Sequence, residues 1–220
     1  LIVVGVIVFL FPMAAKGAEY IIAIDVSKSV TVKDHEGGQE FNKNIASIAD
    51  FIIALDPGDS VKIIAISDKS FTNSQIYINE TISSNNGLFG EIPAKDKVRI
   101  QEKWNSLKIR PSAPWTDIFG AMNLASILFT DRKGEKVLII YSDMRQSDQI
   151  VDLEKSGIIN IGKAMETVSR KNLVPDLHDV EVHCLGVHSA KKSLQYWQSL
   201  KRFWQTYFEQ SKAVLKTYTI

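Results

Sequence analysis

Short apolar runs alternate with stretches whose apolar residues return every three or four positions, and this alternation governs the chain from Glu19 onward. Ile21 to Ile24 is apolar on both faces, which predicts a strand at the centre of a parallel sheet. Phe41, Ile45, Ile48, Phe51, Ile52 and Leu55 fall at helical spacing and predict an amphipathic helix ending before Asp56-Pro57-Gly58. Val61 to Ile66 is a second buried strand. Ile76 to Ile82 alternates apolar with polar, as an edge strand does, and runs into the turn residues Asn85-Asn86-Gly87. Lys95 to Lys108 is a weaker helix carried by Val98, Trp104 and Leu107. Ile118 to Phe129 is a strongly apolar helix with Thr116 as its expected N-cap. Lys136 to Tyr141 predicts a buried strand, Ile158 to Val168 a helix, Val180 to Val187 a strand, and Ser193 to Leu215 one long final helix.

Strand and helix in alternation imply an α/β fold. The expected architecture is a doubly wound, Rossmann-like, mostly parallel central sheet with one antiparallel edge strand and helices on both faces. A length of 220 residues suits one large domain, and 45% hydrophobic residues suffice for a sizeable core. No internal repeat, low-complexity tract or linker interrupts the pattern.

The first eleven residues, Leu1 to Phe11, do not belong to that alternation. They are almost wholly aliphatic or aromatic and lead into Pro12-Met13-Ala14-Ala15-Lys16-Gly17-Ala18. An apolar stretch followed by small residues reads as a secretory signal peptide, or as an N-terminal anchor were it extended upstream. The expected organisation is therefore a signal or anchor segment over 1–18 and a single domain over 19–220. Either segment places that domain outside the cytoplasm, periplasmic or secreted, with the membrane touched only through the anchor.

Charge and cysteine content narrow the chemistry. A formal net charge of +1 gives no electrostatic footprint for nucleic acid. The single cysteine, Cys184, excludes an intrachain disulfide and reads as a buried thiol on a strand. His183, Cys184 and His188 lack a proper zinc ligand set. Gly37-Gly38 is a loop without a phosphate-cradle pattern, and Asn79-Glu80-Thr81 fits a glycosylation sequon.

The informative chemistry lies at strand ends. Asp25, Ser27 and Ser29 follow the first strand, and residues two apart on an extended segment point the same way. They can present a carboxylate and two hydroxyls to one hard cation such as Mg²⁺. Ser142-Asp143 follows the strand ending at Tyr141, and Trp115-Thr116-Asp117 opens the apolar helix between them. In such sheets ligands bind beyond the carboxyl ends of the strands, where strand order reverses.

With these elements in this order, the chain after its first segment resembles a von Willebrand factor type A domain, also called integrin I-like. The DxSxS element of that family is matched by Asp25, Ser27 and Ser29, its later threonine by Thr116, and its strand-end aspartate by Asp143. The resemblance implies a metal-ion-dependent adhesion site holding Mg²⁺ or Mn²⁺. Ser27, Ser29 and Thr116 or their bound waters would form its shell, and Asp25 and Asp143 would act largely through water. It also implies a protein partner that contributes an acidic residue, because neutral hydroxyls leave much of the ion's charge uncompensated. No nucleophile or general base is evident, so the expectation is a binding module and not an enzyme. Two positions depart from the family pattern. Pro114-Trp115 precede Thr116 where small residues are usual, and Met144-Arg145 follow Asp143 where glycine is usual. Trp115, Met144 and Arg145 are expected at the rim of the crevice.

Two other readings stand beside this one. In the first, Asp25 is the nucleophile of a metal-dependent phosphohydrolase, although Ser27 occupies the position where that chemistry wants a second carboxylate. In the second, the metal site is vestigial and the last helix makes the contacts. Its Leu194, Trp197, Leu200, Trp204, Phe208 and Leu215 recur at helical intervals and read mostly as core, with Tyr196, Phe203 and Tyr207 widening the aromatic stripe beyond one face. Lys191, Lys192, Lys201, Arg202, Lys212 and Lys216 make this region basic, as a solvated helix face is.

Overall fold

The computed structural model describes residues 17–31, 40–130, 134–155, 157–187 and 192–219. The apolar stretch Leu1–Phe11, Gly37-Gly38, His188 and Lys191 lie outside them. No helix among the described residues is long and apolar enough to cross a membrane.

Six strands form one sheet: β1 (Glu19–Asp25), β2 (Ser60–Ile66), β3 (Ile76–Thr81), β4 (Lys136–Tyr141), β5 (Val180–Leu185) and β6 (Val214–Tyr218). Their spatial order is β3-β2-β1-β4-β5-β6, all neighbours parallel except β2 and β3. The chain first winds outward from β1 to β2 and β3. It then returns to β1's other side with β4 and winds the opposite way. Strand order thus reverses between β1 and β4.

The pleat assigns side chains to two cores. Ile22, Ile24, Ile63, Ala65 and Ile139 meet α1 (Glu40–Ala54) and α2 (Glu91–Ser106) through Ile48, Ile52, Ile100 and Trp104. Ile21, Ala23, Ile64, Ile66, Leu138 and Ile140 face α3 (Ile118–Phe129), α4 (Ile161–Arg170) and α5 (Leu194–Gln210). Central strands covered on both sides are why β1, β2 and β4 lack polar alternation.

The α/β expectation holds, with four local differences. The predicted final helix breaks at Ser211: α5 ends at Gln210 and Leu215 belongs to β6, which pairs in parallel with β5. Lys212, at φ 60°, makes the sharp reversal that glycine more often makes. The N-cap of α3 is Asp117, whose carboxylate accepts the Gly120 N–H at 2.8 Å, while Thr116 pairs one residue upstream with Ser147. α2 begins earlier than expected, with Pro93 in its first turn where a missing N–H costs nothing. Finally, Tyr196, Phe203 and Tyr207 are buried with Trp197, Leu200, Trp204 and Phe208, whereas Leu194, expected in the core, is exposed in the first turn of α5. Phe203 and Tyr207 pack with Phe119 and Trp204 into one aromatic cluster and Tyr196 packs on Trp197, so these three rings are not available for outside contacts.

Candidate functional site

Asp25 is the last residue of β1, at the switch point. The parallel register pairs Ile24 with Tyr141, which sets Asp25 level with Ser142. The Ser142 hydroxyl donates to Asp25 Oδ2 at 2.7 Å, and the Ser27 N–H donates to Oδ1 at 2.8 Å. With its orientation fixed from both sides, Asp25 is only 1% exposed. Beyond it the chain turns through a single 3-10 turn, Lys28–Thr31. That turn brings the Ser27 and Ser29 hydroxyls within 2.8 Å of one another.

The stretch from Ser112 to Asp117 ties three strand ends together. The Ser112 and Ala113 N–H groups both donate to the Val26 carbonyl, at 2.8 and 3.1 Å, and Lys28 N–H donates back to Ala113. Thr116 and Ser147 exchange two backbone hydrogen bonds of 2.9 and 3.0 Å, and Asp117 N–H reaches the Ser67 carbonyl after β2 at 2.7 Å. Gln146, wholly buried, accepts the Ile118 N–H at 2.7 Å through its Oε1 and so fixes where α3 starts. Thr116 is thereby held between the β1 loop and the β4 loop, 2% exposed.

Asp143 is completely buried, one residue past Ser142. Its Oδ1 accepts the Arg145 N–H at 3.0 Å. Its Oδ2 takes Arg145 Nε at 2.9 Å and Nη2 at 2.7 Å. Arg145 Nη1 meanwhile bridges to Glu154 at 2.7 Å. Burial works against the charge on Arg145, but Asp143 and Glu154 outweigh it and hold the guanidinium above its ordinary pKa. Met144 has φ 60°, the conformation glycine adopts without strain, and its side chain is buried in the core. Met144 and Arg145 are therefore not rim residues. The first packs inward against the α3–α5 layer, and the second lies against its own aspartate. Trp115 alone of the three is at the surface, 43% exposed.

The electrostatics follow from this crowding. Burial, and then repulsion from Asp143, pushes the Asp25 carboxyl up to about 7, against the opposing pull of its bonds to Ser142 and Ser27. Two buried carboxylates within each other's field, beside paired hydroxyls, make an oxygen-rich neighbourhood that a cation would stabilise. The donor chemistry thus fits a hard divalent ion. Arg145 fits it less well, because it already supplies one positive charge. No cluster of three His, Cys, Asp or Glu occurs among the described residues, so any cation here relies on hydroxyls. His183 and Cys184 have structural partners or burial instead. His183 Nδ1 lies 3.0 Å from the Thr217 hydroxyl across β5 and β6, and burial pushes the Cys184 thiol up.

Sequence reasoning singled out the five residues Asp25, Ser27, Ser29, Thr116 and Asp143, and all five lie on stretches that converge here. It gave Ser142 no role beyond a polar strand end, and it passed over Gln146. The partners that give each residue its task are 117 and 28 residues away along the chain.

The fold is that of von Willebrand factor type A domains. A type A domain from Catenulispora acidiphila superposes with a TM-score of 0.52 over 94% of this chain and 39% of that one, at 11% identity. The conserved hypothetical protein BatB from Bacteroides thetaiotaomicron superposes at 0.51 over 92% and 90%, at 16% identity. The pilus adhesin SpaC from Lactobacillus rhamnosus GG superposes at 0.54 over 94% of this chain and 28% of that one, at 10% identity. No family model matches the sequence, and no curated protein matches it.

Proposed function

We propose that this chain is an exported protein-binding module whose Asp25, Ser27, Ser29, Thr116 and Asp143 hold Mg²⁺ or Mn²⁺ at the β1/β4 switch point. The bound ion would supply uncompensated positive charge at the surface, and an acidic side chain of a partner protein is the group suited to it. The observation that carries the reading is the buried Asp25 carboxylate, raised toward neutrality beside Asp143 and flanked by two hydroxyls 2.8 Å apart. Apolar cores do not keep such a group without a purpose.

The chain's own residues have separable tasks in this reading. Ser142 and the Ser27 N–H orient Asp25. Gln146 and Ser147 place Thr116. Arg145 neutralises Asp143 and tempers the affinity for the ion. Both Asp25 oxygens are committed to hydrogen bonds and the residue is 1% exposed, which suits a holding role and not attack on a phosphate ester. Export rests on the apolar segment before the domain, and an adhesive role agrees with the similarity to a pilus adhesin.

Isothermal titration of Mg²⁺ into the purified chain at pH 8 tests the proposal. Saturable binding is expected, absent in Asp25→Ala and weakened at least about tenfold in Ser27→Ala. Identical heats from all three proteins would overturn it.

A further inference from the structure

Next to Thr116 the surface opens into a cleft of about 600 Å³ that the candidate metal site does not use. It runs along the first turns of α3, between the loop after β2 and the loop after β4. Phe71, Trp115 and Ile150 line it, each 43–49% exposed. Large apolar side chains left in water together, on a surface with ample polar alternatives, mark a contact site. Its polar lining is one-sided. Asp68, Asp117 and Asp148 supply three carboxylates against Lys69. All three line the cleft, and the Asp117 carboxyl is raised by burial and further by repulsion from Asp148 and Asp68. Asp117 cannot turn away, because it caps α3 through the Gly120 N–H at 2.8 Å. Gly120 gives that carboxylate its room, since a Cβ there would displace it from the cap. The same glycine keeps that side of the cleft open.

We propose that this cleft receives an arginine side chain of a partner protein. A planar guanidinium can stack on an exposed indole and meet carboxylates at its edge, and its aliphatic stem suits Phe71 and Ile150. Charge complementarity selects the cation, and the aromatic wall selects arginine over lysine. The assignment is independent of any metal, so it stands or falls separately from the reading above.

The test is an NMR titration of the full chain in metal-free buffer with N-acetyl-arginine methylamide. N-acetyl-citrulline methylamide is the uncharged control of equal shape. Saturable shifts are expected at the Trp115 indole N–H, assigned through Trp115→Phe, and at the Gly120 amide. Binding should weaken about fivefold or more with citrulline, and similarly in Asp68→Asn, whose spectrum verifies the fold. Trp115→Ala should weaken it as well. Equal responses to arginine and citrulline, or shifts scattered away from α3, would overturn the assignment.

Discussion

Asp25 carries a charge that its surroundings oppose, and this has a measurable consequence. Its folded pKa of about 7 lies above the ordinary 3.8, so the folded chain binds this proton more tightly than the unfolded chain. Between about pH 4 and 7 the unfolded state ionises first. The residue's contribution to stability is therefore intact at low pH, falls as pH rises through that window, and stays low above it. Asp25→Asn keeps an oxygen for the Ser27 N–H and offers an N–H₂ to Ser142 without the charge. In metal-free buffer it should raise Tm by about 5 °C at pH 8 and leave it unchanged at pH 4, read by calorimetry. A lower Tm at pH 8 would contradict the burial argument. Arg145 poses the reverse question. It satisfies Asp143 at 2.7 and 2.9 Å, yet its charge repels any divalent ion nearby. Arg145→Gln should cost about 3 kcal/mol in urea denaturation, because the buried Asp143 loses its guanidinium counter-charge. In the same protein Mg²⁺ affinity should rise about tenfold by titration. Loss of both stability and affinity would mean that Arg145 only builds the loop.

Between elements, the coupling runs through α5. Trp204 Nε1 donates to the Met144 carbonyl at 2.8 Å, and its rings pack against Phe119, Phe203, Tyr207 and Phe208. The aromatic cluster therefore holds the left-handed Met144 that aims Asp143 and Arg145. Trp204→Ala should cost about 4 kcal/mol by denaturation, from cavity and lost packing together. Trp204→Phe keeps most of the packing but frees the carbonyl, so it should cost about 1–2 kcal/mol. It should also weaken Mg²⁺ binding more than a remote core change of equal cost, such as Ile48→Val paired with Ile52→Val. Strands β1 to β5 and the α1 and α3 helices were legible in sequence because their periodicity is local. β6 was not, because Lys212 makes its preceding turn without glycine or proline and Val214–Tyr218 continues an apolar spacing compatible with a helix. Asp117 and Thr116 were confused because both are good caps, and only pairing with Ser147 removes Thr116 from that role. The convergence of Asp25 with Asp143 was legible through order and strand context. The Arg145 clasp was not, since a surface charge and a buried ion pair read identically in sequence. The aromatic stripe of α5 likewise gives no sign in sequence that its tyrosines face inward.

At the scale of the whole molecule, two buried carboxylates meet at the β1/β4 switch point. The net charge is +1, and the β1 and β4 ends gather the buried Asp25, Ser27, Thr116, Ser142, Asp143 and Arg145, while another buried charge, Lys62 of β2, is paired with Glu19 at 3.1 Å near the other end of the sheet. Both sheet edges are far from the switch point in strand order, and the β3 edge is tied to α2 through Glu80 with Arg99 and Lys103. On the proposed reading, a ligand at the switch point would stabilise the fold from its centre, and proton and metal would compete for the Asp25 carboxylate. Mg²⁺ requires the ionised Asp25, so its apparent affinity should fall about tenfold per pH unit below the Asp25 midpoint near 7 and level off above it. Because a ligand that binds only the folded state stabilises it by mass action, saturating Mg²⁺ should raise Tm at pH 8. The increment should shrink steadily to nothing by about pH 5, and chelator should abolish it at every pH. Asp25→Asn should show no Mg²⁺ increment at any pH while keeping its own metal-free gain. An increment independent of pH in the parent chain would place the ion on exposed carboxylates, whose protons leave well below this window, and away from Asp25.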